Sequence, residues 1–398
     1  MLIRFSVRNF RCFRDQTTLE LTASSDKLIP GNVYQSEDGR TRILRSAGIY
    51  GSNASGKTTV FGALSVMRDF IVTNIPGGMD RQFNYTPFAF DNNRDPTSFE
   101  AEFIHDGVRQ IYGFSYDANR ICEEHLYTFP NGRKKTVFER KLDEYVFKSD
   151  LRMRNDVAKR MDSKKLYVSF ASQFNDQDCR RVVDWFSSRL LVLVGFNIDV
   201  SLEILFSTMQ RDERFRSYVL KALRIADFGI SDLSDHPQIV NVAPSSVPMT
   251  LHDYRARHTF NDKHTSLPLL MESGGTIRFM SVIGPVIQAL TNGSTVAIDE
   301  MDMSFHTDLT KWIVGLFHDP EENRTNAQII FNTHDVELLD QSIVRRDQVW
   351  ITSKDDKTGA ARIDNLKDFR IRNDLDIRKA FLNGSLGGTP FIEPERLI

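Results

Sequence analysis

Residues 51 to 58 read Gly-Ser-Asn-Ala-Ser-Gly-Lys-Thr, a combination of residue types that can hold a polyphosphate. The glycines permit a tight turn that points backbone N–H groups at phosphate oxygens. Lys57 supplies a positive charge for the outer phosphates, and the Thr58 hydroxyl can bind magnesium. This spacing is the P-loop pattern, and it predicts a site for ATP and Mg²⁺. The predicted nucleotide contacts are Gly51, Ser52, Asn53, Ala54, Ser55, Gly56, Lys57, Thr58 and Thr59.

A second chemical motif lies in residues 295 to 300, which read Thr-Val-Ala-Ile-Asp-Glu. A short apolar strand that ends in two carboxylates is typical of a Walker B element. We expect Asp299 to bind the magnesium ion, directly or through its hydration shell, and Glu300 to polarise an attacking water. A strand that merely ends in an acidic turn is the alternative interpretation.

Two weaker signals flank the carboxylates. Ser273, Gly274 and Gly275 precede apolar residues at helical spacing, and a helix opened by such residues exposes backbone N–H groups to an anion. Most segments of this kind are plain helix caps. His334 follows an apolar strand pattern over 327–333, where a histidine considered alone would be structural.

The elements that must position these residues can be read from the flanking patterns. Residues 46–50 are short and mostly apolar, as in a buried strand, and apolar residues recur at helical spacing over 58–72. A strand, loop and helix in this order place a helix N-terminus at the phosphates, where its dipole favours negative charge.

The order of the motifs resembles that of ABC-type ATPases, in particular the SMC- and RecF-like branch. The resemblance implies that Ser273, Gly274 and Gly275 of one protomer contact the γ-phosphate held by the P-loop of another. It also implies that His334 is a switch histidine and that Asp302 lies in the D-loop at the dimer seam. ATP and Mg²⁺ would then bind between the protomers of a homodimer or a higher homo-oligomer.

The start of the chain adds one more candidate. Residues 8–13 resemble the Asn-Phe-Arg/Lys stretch of this branch, which implies that Arg11 approaches the nucleotide; an arginine that solvates a strand edge is the alternative. The residues Ser273, Gly274 and Gly275 take the place of the signature motif of ABC ATPases. This signature departs from that of transporters, because Glu272 and Thr276 replace the expected Leu and Gln. Gln82 is a Q-loop candidate by position only.

A closer likeness is to the RloA/AbiLi-type ATPases of bacterial phage-defence loci. It is carried by residues 87–90, 113–115, 272–278, 297–306, 326–340, 345–350 and 384–392. The likeness implies an ATPase that senses infection or regulates a separate effector, such as an RloB-like nuclease or a toxin. A recombination or repair ATPase that clamps DNA directly is the alternative function. A self-contained nuclease is disfavoured, because fewer than 50 residues follow Trp350.

The expected fold is α/β, an ABC-type head whose core sheet is mixed or parallel, with an antiparallel β subdomain and a helical insertion. Residues 97–147 alternate apolar and polar side chains between turn signals, as in an antiparallel sheet. Residues 150–228 are charged with helical spacing. The predicted division is 1–147, an N-terminal ATPase lobe; 148–235, the helical insertion; and 236–398, a C-terminal ATPase lobe.

Composition narrows the class of protein. The chain has 398 residues, 26% of them charged, and a net charge of -2, so it is not a polycation built to coat nucleic acid. Its scattered Cys12, Cys122 and Cys179 fit a reducing cytoplasm, and no apolar run predicts a membrane span. Residues 133–165 carry 12 Lys/Arg against 6 Asp/Glu, which suggests a nucleic-acid contact, an acidic partner or a solvated face.

Overall fold

The structure is a computed structural model of the chain. It describes residues 1–36, 39, 41–73, 83–91, 95–195, 198–226, 228–240, 249–261, 263–369 and 376–388. Gln82 and the end of the likeness after residue 388 lie outside the described residues.

The strands, in chain order, are β1 Leu2–Arg8, β2 Thr17–Glu20, β3 Val33–Gln35, β4 Arg42–Leu44, β5 Ser46–Gly51, β6 Thr97–His105, β7 Val108–Tyr116, β8 Ile121–Thr128, β9 Lys135–Lys141, β10 Glu144–Phe147, β11 Leu190–Leu193, β12 Ile230–Asp235, β13 Gln238–Val240, β14 Met249–Leu251, β15 Tyr254–Phe260, β16 Lys263–Pro268, β17 Thr295–Ile298, β18 Gln328–Asn332, β19 Val349–Lys354 and β20 Ala361–Asn365.

The α-helices are α1 Lys57–Val72, α2 Leu151–Ala158, α3 Tyr167–Ser172, α4 Gln177–Ser188, α5 Ile198–Arg211, α6 Glu213–Ile225, α7 Gly274–Asn292, α8 Thr307–His318 and α9 Ile377–Leu382. Short 3-10 helices lie at Pro30–Asn32, Pro130–Gly132, Leu269–Met271, Val336–Leu338, Arg346–Gln348 and Leu366–Asp368. Among the described helices, none has both the length and the apolar character needed to cross a membrane.

The core sheet has the strand order β11-β17-β18-β5-β19-β20 within the described residues. The pairs from β11 to β19 are parallel, and β20 is antiparallel to β19. Helices cover both faces of this sheet, as parallel sheets require. The α/β fold with a mixed core sheet, predicted from the order of the motifs, is confirmed.

Successive residues of the core strands face opposite sides of the sheet. Ile49 and Ile330 pack on one side with α1 and the large antiparallel sheet. Tyr50, Ile329 and Phe331 pack on the other side with α6, α7 and α8. The mostly apolar run of β5 is explained by this two-sided burial, because it leaves no solvent face for polar residues.

The predicted antiparallel sheet is present, with the order β10-β9-β8-β7-β6-β1-β2 in the described chain. Its β7–β8 turn is held by the Asp117 carboxylate, which accepts from the backbone N–H groups of Asn119 and Arg120 at 2.7 and 3.0 Å. The sheet also includes β1 and β2, in which apolar and polar residues alternate at the start of the chain.

The range 148–235, predicted as a helical insertion, contains α2 to α6 but is not purely helical. β11 lies inside it and pairs in parallel with β17, so the chain returns to the core sheet between α4 and α5. β12 also falls in this range and pairs with β15. The four residues of β11 are too few for their apolar pattern to distinguish a strand from a helix. Only the pairing with β17 shows that they form a strand.

The basic stretch 133–165 is partly internal. Arg154 is fully buried and binds the buried Asp176 carboxylate at 2.8 Å, and it also contacts Asp178 at 3.1 Å. Arg140 is buried beside Glu124 at 3.5 Å. Two of its cations therefore neutralise buried carboxylates, and the charge this stretch offers a partner is smaller than its sequence suggests.

Replacing Arg154 by methionine should destabilise the protein strongly. The change would leave Asp176 buried without its cation, which costs about 3–5 kcal/mol in comparable buried pairs. The free energy of unfolding from urea titration measures the effect. The matched control is Lys159→Met in the same region, because Lys159 is exposed and its pair with Asp156 is solvated. Equal losses for the two variants would contradict the buried network.

Candidate nucleotide-binding site

The predicted phosphate loop connects β5 to α1. The backbone torsion φ is 154° at Gly51 and 110° at Gly56. A Cβ at Gly51 would collide with the Thr352 hydroxyl, and the Ser55 hydroxyl hydrogen-bonds that same hydroxyl at 2.6 Å. Glycine at position 51 is therefore required by a close approach to β19, which fixes the base of the loop.

Lys57 is aimed into the centre of this loop. Its buried Nζ donates to the Gly51 carbonyl at 2.8 Å and to the Ser52 carbonyl at 2.9 Å. Burial lowers the pKa of Lys57, and the carboxylates of Asp299, Asp302 and Glu300 oppose that shift. The ammonium thus lies where the loop curls around it, as a lysine that neutralises phosphates must.

Asp299 and Thr58 lie together at the edge of the core sheet. Asp299 follows the buried end of β17 and accepts a hydrogen bond from the Asn332 amide, and the Thr58 hydroxyl is near enough to lower the pKa of its carboxyl. Burial raises the pKa of Asp299, and the interactions with these two residues offset that rise only in part. A hydroxyl beside a carboxylate suits a magnesium ion that takes its remaining ligands from phosphates and water. The two residues fit the predicted metal site.

Glu300 has an exposed side chain on a constrained backbone. Its φ is 52°, a left-handed conformation, and its N–H donates to the Asn332 side-chain oxygen at 2.6 Å. The next predicted residue, Asp302, accepts a hydrogen bond from the His334 N–H at 3.1 Å. The Asp302 side chain therefore links its loop to the histidine segment of its own chain.

These segments meet at one cavity of about 210 Å³. The phosphate loop, Glu300 and His334 all contribute to the wall of this cavity, although they are far apart in sequence. The lining residues are Cys12, Asn53, Ala54, Gly56, Lys57, Thr58, Thr59, Glu300 and His334. A cation, a metal-binding hydroxyl, a carboxylate and an imidazole thus converge on a space beside a helix N-terminus.

The structure does not bring Arg11 into this cavity. Its guanidinium lies over the Phe10 ring, 5.1 Å from the ring centre, and Gly62 of α1 leaves room for it. The positive φ of 51° at Arg11 and the bond from its N–H to the Thr86 carbonyl set this direction. Cys12, which the sequence did not single out, lines the cavity instead, with its Sγ 3.2 Å from the Thr59 hydroxyl.

The Ser-Gly-Gly segment forms the start of α7. The Ser273 hydroxyl caps the helix by accepting from the Thr276 N–H at 3.0 Å. Ser273 and Gly274 are exposed, and a Cβ at Gly274 would meet nothing within 4 Å. Within the described part of the chain, this segment does not line the cavity around Lys57.

Asn332 is the functional candidate that sequence reasoning missed. Its amide oxygen holds the Glu300 N–H and its amide nitrogen holds the Asp299 carboxylate, so one buried side chain fixes both acids. The available signal was a polar residue at the end of an otherwise apolar strand, one step before Thr333 and His334. Only the parallel pairing of β17 with β18 shows which residues it serves.

The phosphate loop between β5 and α1 and the mixed core sheet define a P-loop protein of the α/β class. A family profile described as "AAA domain, putative AbiEii toxin, Type IV TA system" matches residues 46–340. The chain belongs to this family. No curated protein matches the chain.

Two solved structures are similar over most of their length. The SMC head domain from Thermotoga maritima has 13% identity and a TM-score of 0.41, covering 92% of this chain and 98% of that one. A crystal structure of the SmcHead bound to the C-winged helix domain of ScpA has 12% identity and a TM-score of 0.44, covering 91% and 96%.

An Asn332→Asp variant should lose stability in a pH-dependent way. It places a carboxylate against Asp299, and each raises the pKa of the other in the folded protein above its unfolded value. The variant should therefore be less stable than the wild type by about 1–3 kcal/mol near pH 8 and recover as the pH falls toward about 5.5. Urea unfolding at the two pH values measures the difference.

The exposed Asn155 on α2 provides the control for this experiment. Asn155→Asp should change stability little, and by the same amount at both pH values. A destabilisation of Asn332→Asp that does not depend on pH would refute the contact with Asp299.

Proposed function

We propose that the protein binds and hydrolyses ATP with Mg²⁺ between two copies of itself and thereby regulates a separate effector in antiphage defence. The observation that carries the hydrolysis is the cavity that joins Lys57, Thr58, Glu300 and His334 at the edge where Asp299 lies. Each group has a role in phosphoryl transfer, and no single segment of the chain supplies them all.

The chemistry follows from the positions of the side chains. Lys57 and the N–H groups of the loop would neutralise the phosphates, while Thr58 and Asp299 would hold Mg²⁺. Glu300 reaches into the same cavity from a fixed backbone and would polarise the attacking water. His334, which lines the same cavity, would contact the terminal phosphate or the water. Hydrolysis is therefore assigned to Glu300 acting with groups of its own chain.

The dimer is proposed because the start of α7 can bind an anion but does not line the chain's own nucleotide cavity. Its N-terminal N–H groups are exposed at Ser273 and Gly274, where a helix N-terminus favours a phosphate. Large apolar side chains lie in and beside this segment, with Leu270 89%, Met271 70% and Met303 56% exposed. Such a surface is suited to burial against a second copy that presents its bound ATP.

The regulatory role is supported by the family description, which names a toxin and a type IV TA system, and by the likeness to RloA/AbiLi-type ATPases. Opening and closing of the dimer would gate an RloB-like nuclease or another toxin. The alternative, direct clamping of DNA, is favoured by the exposed cations Arg133, Lys134 and Lys135 after the β8 strand. ATP hydrolysis stimulated by DNA without any partner would support that alternative.

A Glu300→Gln variant should bind ATP with nearly wild-type affinity and hydrolyse it slowly. The amide keeps the size of the side chain but cannot accept the proton of the water, which should lower the turnover number by about 10²–10⁴-fold. Phosphate release measures turnover, and light scattering with ATP and Mg²⁺ measures the dimer that should accumulate. Lys57→Ala is the control that should lose ATP binding itself. Normal turnover by the glutamine variant would exclude Glu300 as the base.

The trapped dimer also tests the effector. The Glu300→Gln protein, purified from its native host with ATP, should retain the partner more strongly than Lys57→Ala does. Recovery of a nuclease or toxin supports the regulatory role, whereas recovery of DNA alone supports the clamp.

A mixture of two inactive variants tests whether the site is shared. Lys57→Ala destroys the phosphate loop and Ser273→Arg blocks the signature, so each variant alone should be inactive. A mixed dimer has one complete site, formed by the loop of the Ser273→Arg chain and the signature of the Lys57→Ala chain. An equal mixture should regain about a quarter of the wild-type rate, because half of the dimers are mixed and each has one of two sites. A mixture that stays inactive, although mixed dimers form, would contradict the shared site.

A further inference from the structure

Arg278 is a buried arginine that connects α7 to the end of β17. Its Nη2 donates to the Asp299 carbonyl at 3.1 Å and to the Glu300 carbonyl at 2.8 Å. It lies five residues after Ser273, on the second turn of the helix whose first turn carries the exposed Ser-Gly-Gly segment. The two hydrogen bonds join this helix to the backbone of both acids.

The backbone of Glu300 is held from two sides. Asn332 accepts from the Glu300 N–H, and Arg278 donates to the Glu300 carbonyl, so the peptide groups before and after its Cα are both fixed. This matters because Glu300 has a φ of 52°, a conformation that costs free energy for a residue with a side chain. Without these partners the backbone would relax and move the carboxylate in the cavity.

The positive charge of Arg278 is explained by the carboxylates around it. Arg278 is buried, and its guanidinium lies in the field of the Asp299, Glu300 and Asp302 carboxylates. Burying a cation is unfavourable unless hydrogen bonds and opposite charges compensate. An apolar residue would pack α7 against the sheet without that cost. The cation therefore serves the acidic segment rather than the packing of the helix.

A second contact joins the same two elements closer to the helix start. A Cβ at Gly275 would lie only 2.8 Å from the Ser304 carbonyl oxygen, so the first turn of α7 rests directly on the loop after Glu300. Ser304 also has a positive φ, of 68°. The helix and the acidic segment thus touch at two points on successive turns.

We infer that Arg278 is a positioning residue that holds Glu300 of its own chain in the orientation needed for hydrolysis. The inference rests on the proposed function, in which Glu300 is the base. Arg278 acts through the Glu300 backbone, so it affects the chemical step and not the binding of ATP. Because it projects from the signature helix, the same α-helix that meets the partner's nucleotide also supports the base of its own chain.

The first test separates turnover from binding in Arg278→Met and Arg278→Lys. We expect the turnover number of the methionine variant to fall by about 10–100-fold, as for a displaced catalytic group, with the Kd for a fluorescent ATP analogue and Mg²⁺ nearly unchanged. Lysine keeps the charge but not the planar fork, so it should restore part of the rate. Gln288→Met, on the last turns of the same helix, is the control that should turn over normally. Loss of affinity equal to the loss of turnover would overturn the inference.

The second test asks which chain's Glu300 depends on Arg278. In the mixed dimer described above, the active site uses Glu300 of the Ser273→Arg chain and the signature of the Lys57→Ala chain. Adding Arg278→Lys to the Ser273→Arg chain should reduce the restored rate, and adding it to the Lys57→Ala chain should change that rate little. The opposite pattern would show that Arg278 only supports the signature helix.

A third measurement excludes a general loss of structure. In a Glu300→Gln background the base is already absent, so Arg278→Met should cause little further loss of the residual rate. An equal fractional loss in both backgrounds would overturn the inference, as would normal turnover by Arg278→Met. If the methionine variant does not fold, the lysine variant carries the same comparison.

Absence of hydrolysis by the wild-type protein would contradict the proposed function and this inference together. Normal hydrolysis by both the wild-type protein and the Arg278 variants would contradict the inference alone.

Discussion

The parallel alignment of β5, β17 and β18 is the constraint on which the site depends. Parallel neighbours end at the same edge of a sheet, so the phosphate loop, the two acids and the histidine segment are delivered to one place. The pairing of Ile298 with Phe331 puts the following residues, Asp299 and Asn332, side by side. A shift of one residue in this register would point Asn332 to the other face and separate it from both acids.

The two acids at this edge, Asp299 and Glu300, are contacted by neutral and positively charged groups from three different elements. Asn332 comes from the neighbouring strand, Thr58 from the helix after the phosphate loop and Arg278 from the helix on the opposite face of the sheet. Burial raises the pKa of Asp299, and the interactions with Asn332 and Thr58 oppose that rise only in part. Glu300 is different, because only its backbone is fixed and its carboxylate stays exposed in the cavity. This division suits an acid that binds a metal beside an acid that must meet a water molecule.

The two cores of the molecule have separate tasks. One core lies under α6, α7 and α8 and supports the elements that carry the acids and the Ser-Gly-Gly segment. The other joins α1 to the large antiparallel sheet, where Arg140 and Arg154 neutralise buried carboxylates. Arg154 joins α2 to the start of α4 and to the β9 strand, and Arg140 joins β9 to β8. Charge that looks available for nucleic acid in the sequence is therefore partly spent on internal pairing.

The sequence by itself determined the phosphate loop, the acidic strand end and the α/β class, because each depends on residues close together in the chain or on the period of a single element. The tertiary structure decided the rest. Asn332 and Arg278 act on residues 32 and 22 positions away, which no local pattern records. Arg11 belongs to a recognisable stretch, yet a positive φ turns its side chain along α1. The four residues of β11 do not predict a strand by themselves, because a strand is stabilised by hydrogen bonds to a neighbour, here β17, that is distant in sequence.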